Sequence, residues 1–298
     1  MLIVNARAGS VRARTKEVIA KALSADFKLE VADTMSRNHA SELAADAVDR
    51  GFYAVVAFGG DDTINEATQT LVGTGVALGV LPGGSTNVMA RSLGIPRDPV
   101  EATAFVASRI RSGSRRPINV GVNEDRYFIF STGIGLDAEV VKRVEANPQA
   151  KARSAEWTFL RKALAAGIGE YRGAEPSITV EVEGREPTRA VFAICCNGRP
   201  FTYFKRWPVE ACPGASLDGG LDLFSLRRVR LGTVPRIAWS VFVSRSHPRW
   251  RTGRYDHDVA AIKLTSDRPL PVQVDGDYVG EQRTATIRLV PKGLDVLV

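Results

Sequence analysis

The apolar positions of this chain follow two different patterns. Up to about residue 117, short and nearly continuous apolar runs alternate with segments whose apolar residues recur at helical spacing. The runs "LIVNA" (2–6), "FKLEVA" (27–32), "YAVVAF" (53–58) and "GVALGVLP" (75–82) predict strands. Helices are predicted over 12–24, over "NHASELAADAVDRG" (38–51) with Gly51 as its stop, after each of the next two strands, and over roughly 99–111. Strands apolar throughout, separated by helices, predict a parallel sheet covered on both faces.

From "RRPINVGVNEDRYFIFSTGIG" (115–135) onward, strands follow one another closely, with "VNEDRY" as a hairpin turn. A helical interlude is expected over about 137–171. More strands follow it: "SITVEVEG", "TRAVFAICCNG", "LDLFSL", "VAAIKLTS", "LPVQVDGD" and "TATIRLVP". This change of pattern predicts two domains. Residues 1–117 form a three-layer α/β domain, and 118–298 a β-sandwich-like domain whose C-terminal strand returns to the first.

The chain has 298 residues, 44% hydrophobic and 24% charged, the balance of a globular protein. No apolar run reaches the roughly 18 residues that a membrane helix needs. The start, "MLIVNARAGS", lacks the charged lead and cleavage site of a signal peptide, which points to the cytoplasm. Of the three cysteines, Cys195 and Cys196 lie in "VFAICCNG" and read as small buried hydrophobes, and no CxxC pair occurs. The net charge is +7, and Arg227 to Arg254 holds eight arginines and no acid. With Trp239, Phe242 and Trp250 among those arginines, the segment is a candidate docking face for an anionic membrane surface. No nucleic-acid motif accompanies it, so a nucleic-acid partner is not expected.

Two loops carry the chemistry. "AFGGDDTINE" (57–66) leaves a buried strand and opens a helix, with Thr63 and Glu66 at capping-box spacing and Ile64, Ala67 and Leu71 as its apolar stripe. "GVLPGGSTNVMARSLGIP" (79–96) repeats the order of strand, glycines, hydroxyls and helix. A glycine turn feeding a helix start exposes main-chain N–H groups suited to phosphate, and Asp61 is placed to hold a metal ion on it. Neighbouring parallel strands would put both loops at their carboxyl ends, where open α/β sheets bind ligands. Neither is a Walker A loop.

The pair "GGDDTINE" and "PGGSTNVMAR" resembles the signature of the diacylglycerol kinase catalytic-domain family, which includes bacterial lipid kinases and sphingosine kinases. The similarity continues in "NARAG" (5–9), "FIFSTGIGLDAEVV" (128–141), "CPGASLDGGLDL" (212–223) and "VQVDGDYVG" (272–280). It implies a nucleotide-binding domain followed by a lipid-presenting β-sandwich, with ATP and Mg2+ as cofactors and a lipid substrate at the membrane surface. ATP would meet Asn5, Thr34, Gly59, Gly60, Asp61, Asp62, Thr63, Ser85, Thr86 and Asn87. Asp277 would accept the proton of the lipid hydroxyl, beside Asp61 as the second catalytic carboxylate. Asp218, with the carbonyls of Ala215 and Gly220, would hold a separate magnesium. A homodimer is a candidate assembly.

The chain departs from the family pattern at three positions. Asp62 stands where the family has glycine, Val88 where many members have aspartate, and Asp277 where glutamate is usual. Two alternatives therefore stay open beside an ATP-dependent lipid kinase. One is a catalytically impaired relative that binds lipid or nucleotide; the other is a soluble-substrate enzyme of the NAD kinase type.

Overall fold

The computed structural model describes residues 1–146, 169, 173–204, 207–228 and 253–298. They form two compact units, Met1–Val120 with Pro291–Val298, and Gly121–Val290.

The first unit runs β1 (Leu2–Val4), α1 (Ala13–Ser24), β2 (Val31–Asp33), α2 (His39–Asp49), β3 (Ala54–Gly59), α3 (Asp61–Leu71), β4 (Ala77–Pro82), α4 (Val88–Ser92), α5 (Pro99–Ser112) and into β5 (Arg116–Asn123). Its strands lie parallel in the order β2–β1–β3–β4, and Val296 of the chain's last strand pairs with Leu78. β3 and β4 are buried at every position, as expected of strands covered on both faces. The chain moves one way from β1 to β2 and the other way to β3 and β4. Right-handed crossovers then put α1 and α2 on opposite faces. The packing agrees, since α1 pairs with α5 and α2 with α3. Local signals set the ends: Asp98 accepts the N–H groups of Val100 and Glu101 (2.9 and 3.0 Å) before Pro99 opens α5.

The second unit continues with β6 (Arg126–Phe128), β7 (Ser131–Ile134), α6 (Leu136–Glu145), β8 (Ile178–Val182), β9 (Thr188–Ala190), β10 (Phe192–Cys196), β11 (Thr202–Phe204), β12 (Trp207–Val209), β13 (Leu221–Leu226), β14 (Gly253–Val259), β15 (Ala261–Val274) and β16 (Asp277–Val296). Antiparallel pairs run β14–β13–β10–β7–β15–β16. β15 is long and irregular. Its first half pairs with β8, its second half with β7, and the register shifts between Thr265 and Leu270. Side chains from both arms meet in one core that holds Ile178, Val180, Leu221, Leu223, Ile262 and Ile287. β10 is buried on both faces: Ala193 and Cys195 enter that core, while Phe192, Ile194 and Cys196 enter a second one with Phe224 and Leu226. This accounts for its unbroken apolar run, and all three cysteines are free and buried.

The expected elements differ from those observed in three respects. "VAAIKLTS" and "LPVQVDGD" belong to one strand, because the irregularity in β15 bends the chain without ending the ladder. "TRAVFAICCNG" is two strands that break at Val191. β14 begins at the end of the arginine-rich segment, and the β11–β12 hairpin has no alternating signature in the sequence. Most of the helical interlude, and the expected docking face with Trp239, Phe242, Arg245, Arg249, Trp250 and Arg251, lie outside the described residues.

Candidate nucleotide and phosphoryl-transfer site

The first unit places its candidates along a single edge. Val4 pairs with Asp33 and Phe58, and Gly59 pairs with Pro82. The next positions on the four strands are therefore Thr34, Asn5, Gly59 and Pro82, all at carboxyl ends. Main-chain bonds fix this row: Thr34 N–H to the Val4 carbonyl (2.8 Å), Asn5 N–H to the Phe58 carbonyl (2.9 Å), and Gly83 N–H to the Gly59 carbonyl (2.8 Å). Strand order reverses between β1 and β3, the switch point where doubly wound sheets open a binding crevice.

Three loops meet above this row. The two glycine loops touch backbone to backbone. A Cβ on Gly83 would lie 3.0 Å from the Gly59 Cα, and one on Gly84 would lie 2.8 Å from the Gly60 Cα. None of these four glycines needs left-handed backbone; what they provide is close approach. The third loop joins through Ser10, whose N–H bonds the Gly83 carbonyl (3.0 Å), and Val11, which sits against Gly83. This loop carries the exposed Arg7 and Arg12, cations that the sequence reading did not single out although "NARAGSVRAR" displays them.

Side chains knit the loops together. Asp61 reaches from α3 to the start of α4 and accepts the Met89 N–H (3.2 Å). Burial is the main cause of its upward shift from the usual carboxylate range; the charge of Asp62 adds to it, and the Val88 and Met89 amides oppose it. Asn5 donates to the Thr63 hydroxyl (3.0 Å) and accepts the Arg7 N–H (3.1 Å). Asn87, held in the left-handed region at φ 48°, clamps Gly84 twice, accepting its N–H and donating to its carbonyl (2.8 Å each). The exposed Ser85 and half-buried Thr86 lie on the short span enclosed by this clamp.

One expectation changes here. The capping box is not formed. Gly60 is the N-cap of α3 and receives no side-chain bond, while Glu66 accepts the Asn38 and Ala40 N–H groups (2.8 and 3.2 Å) and so caps α2. Capping-box spacing is a local signal, and here a neighbouring helix start takes the carboxylate. Asp62 is exposed in the first turn of α3, in right-handed backbone. No glycine is required there for conformation, and the acid faces the positive end of the helix. Val88 is buried at the start of α4.

In the second unit, β15 and β16 are joined by a two-residue turn, Asp275–Gly276, both at positive φ (47° and 85°), as a type I′ hairpin requires. The Asp275 carboxylate accepts three successive N–H groups, from Ile129, Phe130 and Ser131 (2.7, 2.8 and 2.9 Å). Asn197 holds the same segment from its carbonyl side, donating to Ile129 O (2.8 Å). Asp277 follows the turn and pairs with Arg126 (2.9 Å) at the end of the β5–β6 hairpin. Arg126 is a partner that the sequence did not mark.

The Asp218 loop is a tight turn closed by Gly219 N–H to the Ser216 carbonyl (2.9 Å), and Gly220 N–H donates to Asp258 (2.6 Å). Ala215 is buried, whereas Asp218 is exposed. Asp222, the second aspartate of the element, is fully buried and bonded by Tyr255, His257 and the Asp258 N–H. Among the described residues no three histidine, cysteine or acidic side chains gather as a metal cluster. A cation here would rest on one carboxylate and main-chain carbonyls, a hard oxygen set that suits magnesium with its retained waters. Asp61 offers oxygen as well, and a divalent cation would offset both the burial and the Asp62 charge that raise its pKa.

Residues 1–122 match the family model of the diacylglycerol kinase catalytic domain. The protein "Probable lipid kinase YegS-like" of Cronobacter sakazakii is 36% identical over 263 residues, covering 85% of this chain and 81% of its own. The diacylglycerol kinase of Bacillus subtilis is 26% identical over 269 residues, covering 89% and 84%. A crystal structure of a diacylglycerol kinase from Bacillus anthracis shares the fold at a TM-score of 0.72 and 19% identity, over 99% of this chain and 95% of that one. The chain belongs to the diacylglycerol kinase catalytic-domain family of lipid kinases.

Proposed function

We propose that this protein transfers the γ-phosphoryl group of ATP to a hydroxyl of diacylglycerol or a closely related lipid. The observation that carries this reading is the row of loop starts at one sheet edge, where the two glycine loops touch and Asp61 ties α3 to the start of α4. Phosphoryl transfer asks mainly for positioning and charge neutralisation, and main-chain N–H groups next to helix starts provide both. The close approach of Gly83 to Gly59 and of Gly84 to Gly60 would hold the two loops together beside the phosphates. Arg7 and Arg12 add positive charge on the third loop. Asp61 would hold Mg2+, which neutralises charge on the transferring group when bound. Asp277, steadied by Arg126, would orient the lipid hydroxyl and accept its proton late in the transfer. Asp218 with the Ala215 and Gly220 carbonyls would hold the second magnesium. Asn5 and Asn87 act through the loops they brace, and Thr34 closes the row at β2.

No helix among the described residues is long and apolar enough to cross a membrane. The enzyme would then meet its substrate by peripheral docking. The test is transfer of labelled phosphate from ATP to diacylglycerol in mixed micelles with Mg2+, beside Asp277→Asn. Labelled phospholipid that disappears in the variant supports the reading. Full transfer by Asp277→Asn removes Asp277 from its role, and no transfer to any lipid alcohol while ATP still binds leaves the non-catalytic relative.

A further inference from the structure

The motif "STGIGLDAE" contains an aspartate that the proposed chemistry does not use. Asp137 opens α6 and folds back onto Gly133 of β7, where a Cβ on Gly133 would lie 1.9 Å from its Oδ2. Glycine at 133 thus reserves the volume that this carboxylate fills. Asp137 Oδ2 accepts a hydrogen bond from Gln273 Nε2 (3.1 Å), and its Oδ1 is out of reach of solvent. Gln273 is completely buried, and its other amide atom, Oε1, accepts the Gly276 N–H (2.9 Å). Gly276 is the turn residue directly before Asp277.

A buried primary amide has two orientations, and its neighbours choose between them. Gly276 supplies a donor, so Oε1 must face the turn; that leaves Nε2 needing an acceptor, which Asp137 provides. Without that acceptor the Gln273 amide keeps a buried donor unsatisfied and loses its reason to hold Oε1 toward the turn. Asp275 anchors the opposite side of the same turn to 129–131. The hairpin is therefore held from two directions.

We propose that Asp137 is a positioning residue of the phosphoryl-transfer reaction: through Gln273 it fixes the Asp275–Gly276 turn and so the orientation of Asp277. The inference rests on the role given to Asp277 above. It gives a task to a glycine and an enclosed carboxylate oxygen that the proposed chemistry does not otherwise use.

The experiment uses the full chain with Asp137→Ala, Asp137→Asn and Gln273→Leu, each alone and in an Asp277→Asn background. It reads kcat, KM for ATP, and amide hydrogen exchange at Gly276, after a thermal melt has shown each variant folded. Asp137→Ala and Gln273→Leu should lower kcat on the order of tenfold with KM for ATP unchanged, since misorienting one reacting group acts on the chemical step. Asp137→Asn keeps an oxygen for Gln273 and should recover most of the loss. Gly276 exchange should accelerate in the first two variants only. In the Asp277→Asn background neither should reduce activity further, because the path runs through that carboxylate. Additive losses there, or wild-type kcat with unchanged Gly276 exchange in a folded Gln273→Leu, overturn the inference. Full activity of Asp277→Asn alone sinks the functional reading instead, and Gly276 exchange then decides whether Asp137 sets the turn.

Discussion

Gly60 and Gly84 meet main chain to main chain, but not symmetrically. A methyl group on Gly84 would stand 2.8 Å from the Gly60 Cα, whereas one on Gly60 would sit 3.7 Å from the Gly84 Cα, an ordinary contact. The two alanine variants should therefore behave differently. Gly84→Ala forces the glycine loops apart, breaks the Asn87 clamp, and should weaken ATP binding on the order of tenfold or more. Gly60→Ala should change it little. Titration of ATP by calorimetry separates them, and equal losses would show that backbone flexibility matters here more than packing.

Asp61 has a structural task and a proposed chemical one, and two substitutions separate them. Asparagine keeps an oxygen for the Met89 N–H but carries no charge. Asp61→Asn should melt close to wild type and lose Mg2+-dependent transfer by several orders of magnitude, because charge at the transferring group dominates this chemistry. Asp61→Ala also removes the acceptor at the start of α4 and should lower stability by about 1 kcal/mol. Retained activity in a folded Asp61→Asn would take the metal away from this carboxylate.

Asp62 acts at a distance. It is exposed in the first turn of α3 and needs no special backbone. Its acid favours the helix start and disfavours an approaching polyphosphate. Asp62→Asn should then raise ATP affinity a few-fold at low Mg2+ and low salt, with the difference fading near physiological ionic strength as screening shortens to about 8 Å. Asp62→Gly should destabilise the protein by about 1 kcal/mol, since glycine is poor inside a helix. Binding curves at two salt concentrations check the first claim and denaturant unfolding the second.

The loops were legible in the sequence because each pairs a buried strand with glycines and a helix start, signals that are local. The partners of Asp61, Asn5 and Glu66 were not legible. Glu66 sits three residues after Thr63 and reads as a capping box, yet it serves α2, which lies 26 to 28 positions earlier in the chain. Sequence spacing describes one helix at a time, and only the packing of α2 on α3 brings that helix start to the carboxylate. For the same reason Arg126 was invisible as the partner of Asp277, 151 residues away. The β11–β12 hairpin escaped because strands of three residues carry too little alternation to be seen.

Asp137 makes the stability of the protein depend on pH in a definable direction. Enclosure of its carboxyl pushes the pKa from 3.8 up to about 6, against the pull of the Gln273 amide and the first main-chain amides of α6. Between those values the folded state binds a proton that the unfolded chain has released. Stability therefore falls as pH rises through this window, and the full penalty of the buried charge is present above pH 6. Asp137→Asn removes the charge and keeps an acceptor for Gln273. The variant should match wild type near pH 4 and gain on it through the window, reaching an advantage on the order of 2 kcal/mol at pH 7 to 8. Urea unfolding of both proteins at pH 4.5, 6 and 7.5 measures the gap. A gap that stays constant across the three would mean that Asp137 does not titrate there, and that its carboxylate is charged in the folded protein throughout.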